Sequence, residues 1–279
     1  MVGRRKWKRR AGNLQTLADI GPSAGSCALP DHVRDAKFAG LDNSSEEAHL
    51  RLLDEFRRVF EGEPYKHRVS TTGDRVASYL YEDLYSLAYS AAFVSRVDAL
   101  QVAVNTSNRI KGKRGRRGDG TFGRVVPTEA PVRLDGLRVP RGPVASLEIG
   151  AEFKIGATKL IAQVDRVIND LVNQAKVFRS LSPAAINVAF VGVNFADAYT
   201  GYEGARSTEA KAPPSREARD FAARIQAEAG GHFDELLVLR FRATNQPPFR
   251  FAWLDHKDVE QSYSSALVRI SAEYQRRFG

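Results

Sequence analysis

The segment 144–195 constrains the fold of this chain more than any other part of the sequence. Residues 144–155, VASLEIGAEFKI, alternate apolar and polar side chains as a β-strand does. Residues 158–181 carry apolar side chains at helical spacing, and residues 186–195 are apolar and β-branched, which is typical of a strand buried on both faces. A strand, a helix and a strand joined by short links predict a right-handed crossover between parallel strands.

Comparable patterns on both sides of this segment predict an α/β fold. Further helices are expected at about 46–60, 74–91, 216–229 and 258–277. Further strands are expected at 100–106, 121–126 and 236–241, and as a hairpin over 132–139 that turns at Asp135-Gly136. We therefore expect a mixed central β-sheet flanked by helices on both faces.

Two stretches of small and polar residues interrupt the pattern of helices and strands. Residues 1–45 combine a basic head with Gly/Ser/Pro patches, which predicts a basic, partly flexible N-terminal segment before a main domain at 46–279. Residues 198–216 are small, polar and Pro-containing, which predicts a mobile surface loop.

The positive charge of the chain is concentrated in two short segments. The net charge is +9, yet residues 1–10 and residues 109–117 each hold six Lys or Arg and no acid. Without these twelve charges the remainder would carry about −3. Such placement favours polyanion binding, although basic tails and loops are also often simply solvated. The candidate nucleic-acid contacts are Arg109, Lys111, Lys113, Arg114, Arg116 and Arg117.

Several other classes of protein lack support in the sequence. No run of about 18 apolar residues predicts a membrane span, and no apolar segment follows the basic start as in a secretory signal. The lone Cys27 cannot form an internal disulfide, so a cytoplasmic location is expected. The five histidines lack zinc-hydrolase spacing, and no phosphate-binding glycine loop or Gly-x-Ser-x-Gly elbow is present.

The polar face of residues 144–155 carries the strongest chemical signal. Glu152 and Lys154 lie two apart on the predicted strand, so their side chains project in the same direction. Glu148 is expected on the same face, about 13 Å further along the strand, in a peripheral position. A carboxylate there could bind Mg²⁺, with Mn²⁺ as an alternative ion, and would need a second ligand from a neighbouring strand. Asp119, which follows the basic loop and opens the next strand region, is the best candidate.

This arrangement resembles the PD-(D/E)xK nuclease superfamily, which includes many restriction endonucleases. The resemblance covers residues 74–195 and rests on Asp119 and on Glu152-Phe153-Lys154 before a long helix. It implies a restriction endonuclease-like core in which Asp119 and Glu152 bind Mg²⁺ and Lys154 activates water for DNA cleavage. It also implies a further acid on an earlier helix, a place that Glu82 occupies.

Two residues depart from the patterns of that superfamily, and the tripeptide itself is short. Gly118 stands where many members have proline, and Val167 stands four residues after Gln163, where the exonuclease branch has tyrosine. The (D/E)-x-K tripeptide occurs four times, at Asp35/Lys37, Glu152/Lys154, Glu209/Lys211 and Asp255/Lys257. An alternative interpretation is a solvated strand face with an ion pair, which stabilises a fold by about 0–1 kcal/mol.

The leading hypothesis is a Mg²⁺-dependent DNA endonuclease of restriction or phage-defence type. Double-stranded DNA would be the partner, and a homodimer would supply two active sites for the two strands. The alternatives are a non-catalytic nucleic-acid-binding protein and an RNA nuclease or junction resolvase of the same fold.

Overall fold

The computed structural model describes residues 50–67, 71–106, 118–203 and 206–279. The predicted N-terminal segment 1–45 and the basic loop 109–117 lie outside these residues. Among the helices that are described, none is both long and apolar enough to cross a membrane.

Six α-helices and nine β-strands make up the described part of the chain. The helices are α1 (Arg51–Arg58), α2 (Thr71–Leu87), α3 (Ala91–Asp98), α4 (Leu160–Leu181), α5 (Pro214–Ala229) and α6 (His256–Phe278). The strands are β1 (Val102–Asn105), β2 (Gly120–Val125), β3 (Arg141–Gly142), β4 (Val144–Gly156), β5 (Ile186–Asn194), β6 (Thr200–Glu203), β7 (Arg206–Glu209), β8 (Glu235–Ala243) and β9 (Phe251–Trp253).

The central sheet has seven strands in the order β3-β1-β2-β4-β5-β8-β9, with β6 and β7 forming a separate hairpin. The pairs β4–β5 and β5–β8 are parallel, whereas β2 runs antiparallel to both β1 and β4. Helices α1, α2 and α6 pack on one face, and α4 and α5 on the other. The predictions of an α/β fold, a mixed sheet and helices on both faces are confirmed.

The expected hairpin over 132–139 has the predicted turn, but the prediction of its two strands is wrong. Leu137 N donates to Leu134 O at 3.0 Å, and Gly136 takes a φ of +75°, which suits glycine. The flanking runs form no ladder beyond one bridge, between Val132 and Arg141. A buried carboxylate on α2 takes the N–H groups of residues 138 and 139, so these groups do not pair with a strand.

Two further boundaries differ from the sequence-based expectation. The helix expected at 74–91 ends at Leu87, and a new helix, α3, begins after Ser90, whose Oγ accepts from Phe93 N. Ala88, with a φ of +52°, follows the end of α2, and the Ser90 cap then starts α3. The expected loop 198–216 contains the hairpin of β6 and β7.

Asp83, in the middle of α2, joins three helices through one buried carboxylate. Its oxygens accept from Arg51 N at 2.9 Å and Leu52 N at 3.0 Å, in the first turn of α1. They also accept from the hydroxyl of Tyr263 on α6 at 2.7 Å. Burial raises the pKa of Asp83 to about 6, although these three hydrogen bonds favour the charged form.

Asp83→Asn should change how the stability of the protein depends on pH. The ordinary aspartate pKa is about 3.9, so the folded state of the wild type holds this proton more tightly than the unfolded state. The stabilisation from that proton is present below pH 4 and is lost as pH rises to 6. We expect the free energy of unfolding of the wild type to fall by about 2 kcal/mol relative to Asp83→Asn between pH 4 and pH 7.

Urea unfolding at pH 4, 5, 6 and 7 measures this difference. Asp135→Asn, at an exposed turn, is the matched control and should follow the wild-type curve. A difference between wild type and Asp83→Asn that stays constant or grows with pH would contradict the assignment.

Candidate active site

Glu152 and Lys154 form a close ion pair on β4. The Nζ of Lys154 lies 2.5 Å from the Oε1 of Glu152. The two residues pair in register with Ala189 and Val191 of β5, which pack under α4 and α5, so both side chains face these helices. Glu152 is buried and the Lys154 side chain is 22% exposed, so this is not a solvated strand face.

Asp119 lies beside the backbone that carries this pair. Strand β2 begins at Gly120, which pairs with Ala151 of β4. One residue earlier, the Oδ2 of Asp119 accepts the backbone N–H of Phe153 at 2.8 Å. The carboxylate thus takes the place of a strand carbonyl, within one hydrogen bond of the peptide that links Glu152 to Phe153.

Helix α2 positions Asp119 from the other side. A Cβ added at Gly73, in the first turn of α2, would lie 2.7 Å from the Cγ of Asp119. The carboxylate therefore lies against the positive end of the helix dipole. Further along α2, the hydroxyl of buried Tyr81 donates to the carbonyl of Gly120 at 2.9 Å, which fixes the start of β2.

Gly118, the residue before Asp119, is glycine for a steric reason. A Cβ at Gly118 would collide with the ring of Phe178 on α4 and lie 2.8 Å from Ala151 O. A Cβ at Gly150 of β4 would lie 2.7 Å from the same ring. Phe178 thus fits between two glycines and leaves no room for a side chain before Asp119.

Glu148 points away from Glu152, contrary to the expectation from strict alternation. The β2–β4 register passes from Phe122↔Ile149 to Gly123↔Leu147 and skips Glu148, which marks a β-bulge. One extra residue in a strand turns the following side chains to the opposite face.

The bulge places Glu148 in a buried network on the other side of the sheet. Its Oε1 pairs with Arg96 Nη2 of α3 at 2.6 Å, and its Oε2 accepts from the hydroxyl of Tyr274 of α6 at 2.6 Å. Arg96 Nη1 in turn donates to Tyr274 at 3.0 Å. Glu148 therefore joins two helices to β4.

Glu82 lies in a different network from Asp119 and Glu152. Its carboxylate accepts from Arg138 N at 2.8 Å and Val139 N at 3.2 Å, and pairs with Arg141 at 3.3 Å. Arg51 lies 3.7 Å away. This fully buried acid stabilises the segment that leads into β4, and the structure does not bring it to the site as the expected third ligand.

The carboxylates of Asp119 and Glu152 fit a magnesium ion in their chemistry. Within residues 50–67, 71–106, 118–203 and 206–279, no three His, Cys, Asp or Glu residues form a metal-binding group. Asp119 and Glu152 supply two carboxylates, and Mg²⁺ is usually held by one or two carboxylates together with waters and substrate phosphates.

Sequence reasoning missed the two residues of α2 that support Asp119. Gly73 stands near the expected start of a helix and Tyr81 is one of several tyrosines in that helix, so the sequence marks neither as a site residue. The signal for both was present in their spacing, because residues 73, 77 and 81 lie on one stripe of the helix. The basic candidates Arg109 to Arg117 lie outside the described residues, and Gly118 is the next residue that the structure describes.

A scan against protein-family models found no matching family, and a search of the curated proteins found no significant match. The geometry of Asp119, Glu152 and Lys154 is therefore the basis on which a function can be inferred.

Gly118→Ala should destabilise the protein, because its Cβ would overlap the ring of Phe178 and the carbonyl of Ala151. Overpacking of this kind costs about 1–3 kcal/mol. Gly231→Ala is the matched control, since a Cβ there meets nothing within 4 Å.

Urea unfolding of both variants measures the effect. Phe178→Leu combined with Gly118→Ala should recover part of the loss, as expected for two residues in direct contact. Equal stability of the Gly118→Ala and Gly231→Ala variants would contradict this packing.

Proposed function

We propose that this protein is a Mg²⁺-dependent phosphodiesterase that cleaves DNA, with a restriction endonuclease-like core. One observation carries the proposal: the carboxylate of Asp119 is bonded to the backbone N–H of Phe153, between Glu152 and Lys154. Two carboxylates and an ammonium thereby share one end of the sheet, although Glu152 lies 33 positions after Asp119 in the sequence.

The order of elements around this site supports the proposal. Helices α2 and α3 precede β1, β2, the two-residue strand β3 and β4, and β2 runs antiparallel to both β1 and β4. Helix α4 and the strand β5, which is parallel to β4, follow. The resemblance to the PD-(D/E)xK superfamily implies an Asp near the start of one strand and Glu-x-Lys on the next. Asp119 precedes β2, and Glu152 and Lys154 lie on its neighbour β4.

Asp119 and Glu152 would hold the metal ion. A bound Mg²⁺ supplies Lewis-acid activation of water and of the scissile phosphate. Lys154, with its partly exposed ammonium, can donate a hydrogen bond to the attacking water or to a phosphate oxygen. Gly73 lies against the Asp119 carboxylate and Tyr81 fixes the start of β2, so both would help to hold Asp119 in position for the ion.

DNA is the proposed substrate because the basic loop 109–117 directly precedes Gly118 and Asp119 in the sequence. Its six positive charges would attract phosphates, and their place in the chain leads directly into the site. Cleavage of both strands of a duplex requires two such sites, so a homodimer is part of the proposal.

Glu152→Gln and Lys154→Met should each lower Mg²⁺-dependent cleavage of plasmid DNA by about a hundredfold or more, because each removes a charge that acts on the transition state. Lys257→Ala is the matched control, because Lys257 is an exposed lysine in another (D/E)-x-K tripeptide, at the start of α6. It should cleave as the wild type does.

The products on agarose gels, with and without EDTA, decide the question. Wild-type cleavage by Glu152→Gln would contradict the proposal. DNA binding by the wild type without any metal-dependent cleavage would favour the non-catalytic alternative. Parallel incubations with RNA and with a four-way junction test the remaining substrates.

Gly73→Ala should weaken metal binding without removing a ligand. The new methyl group would displace the carboxylate of Asp119 and break its hydrogen bond to Phe153 N. Loss of such a supporting contact typically costs 10–100-fold in metal affinity. Calorimetric titration with Mn²⁺ measures the affinity, with Gly231→Ala as control, and equal affinities for the two variants would contradict this role of Gly73.

A further inference from the structure

A groove lined by arginines lies between α5 and the strands β8 and β9. It consists of two adjoining cavities of about 360 and 530 Å³ that share Phe195, Arg219 and Leu254. Arg216 and Arg219 of α5 form one wall, and Arg240 and Arg242 of β8 form the other. These volumes lie in the range of ordinary ligand sites.

Among the residues that the structure describes, the four arginines have no side-chain partners of their own. Within the described residues, none of their guanidinium groups is bonded to a carboxylate or a carbonyl oxygen. By contrast, Arg224, Arg269 and Arg277 each form ion pairs of the usual kind with neighbouring acids. Four arginines that converge on one groove and leave their charges uncompensated mark a site for an anionic ligand.

The sheet itself presents two of these arginines. Arg240 pairs in register with Val193 of β5, which packs against α4 and α5, so Arg240 faces the same side. Arg242 lies two residues further along β8 and shares this face. Both side chains are exposed, whereas Val238, two residues earlier on the same face, packs against the core beneath α5.

One acid also lines the groove. Asp197 accepts a hydrogen bond from Ser215 Oγ at 2.8 Å, at the start of α5. Four guanidinium groups and one carboxylate leave a net charge of +3 in the groove. Guanidinium groups bind phosphate oxygens through paired, charge-assisted hydrogen bonds, so phosphate is the anion that this wall of arginines suits best.

We propose that this groove binds the phosphodiester backbone of a nucleic acid. The groove and the Glu152–Lys154 pair lie on the same face of the sheet, because Lys154 pairs with Val191 and Arg240 with Val193 of β5. With strands about 4.8 Å apart and a rise of about 3.3 Å per residue, the α-carbons of Lys154 and Arg240 are roughly 12 Å apart. One nucleic-acid strand can therefore contact both.

The binding at this groove is independent of cleavage at Asp119 and Glu152, so it can be measured in EDTA, where no metal-dependent reaction occurs. Arg240→Gln combined with Arg242→Gln should weaken binding of a fluorescent 20-base-pair duplex by roughly tenfold at 0.1 M salt. The slope of log affinity against log salt should fall in magnitude by about 2, one for each lost phosphate contact. Arg219→Gln, from the opposite wall, should act in the same direction.

The matched control is Arg57→Gln combined with Arg58→Gln. These two exposed arginines lie on α1, which packs on the other face of the sheet. The control removes the same charge and should leave both the affinity and the salt slope within twofold of the wild type. Thermal unfolding of all variants establishes that each is folded.

Titration with inorganic phosphate at constant ionic strength distinguishes a nucleic-acid backbone from a small free phosphate. Phosphate binding that is lost in the Arg240/Arg242 variant, with unchanged duplex affinity, would overturn the proposal. Equal salt slopes for this variant and the Arg57/Arg58 control would also overturn it, as would a wild type that binds no duplex at low salt.

Discussion

Two adjacent carboxylates buried in the middle of α2 hold this fold together. A buried charge is tolerated only when hydrogen bonds replace the water that it has lost. Glu82 meets this requirement with the N–H groups of residues 138 and 139 and with Arg141, and Asp83 meets it with the start of α1 and with Tyr263. The requirement fixes α1, α6 and the segment before β4 around one helix.

The position of Asp119 depends on that helix. Because α2 is held along its length, its first turn and Tyr81 can set the position of Asp119 and the start of β2. Asp119 then completes the hydrogen bonding of β4 with a carboxylate in place of a carbonyl. The same contact that ends the β2–β4 ladder also brings the Asp119 carboxylate to the peptide that links Glu152 to Phe153.

Sequence alone predicts the long periodic elements and fails where a single side chain decides the backbone. The crossover from β4 through α4 to β5 follows from periodicity, as does the face shared by Glu152 and Lys154. The break before α3 depends on the hydroxyl of Ser90, and the missing hairpin strands depend on the carboxylate of Glu82. Both contacts are made by polar side chains, so the spacing of apolar residues reveals neither of them. Arg240 and Arg242 alternate with apolar residues in the sequence of β8, but only the register with β5 shows which face they share.

The bulge at Glu148 divides β4 into two halves with different tolerance to change. In the half before the bulge, the strand can be shifted only together with α3 and α6, because Arg96 and Tyr274 hold it. In the half after it, the alternation of the strand decides which side chains face the aromatic core and which face the opposite side of the sheet. Deleting one residue between the bulge and residue 152 would move Lys154 into the position of Phe153 and Phe153 into that of Glu152, so that an ammonium would enter the aromatic core and a phenyl ring would replace the carboxylate on the opposite face. Insertions and deletions in this short stretch should therefore be far more harmful than substitutions.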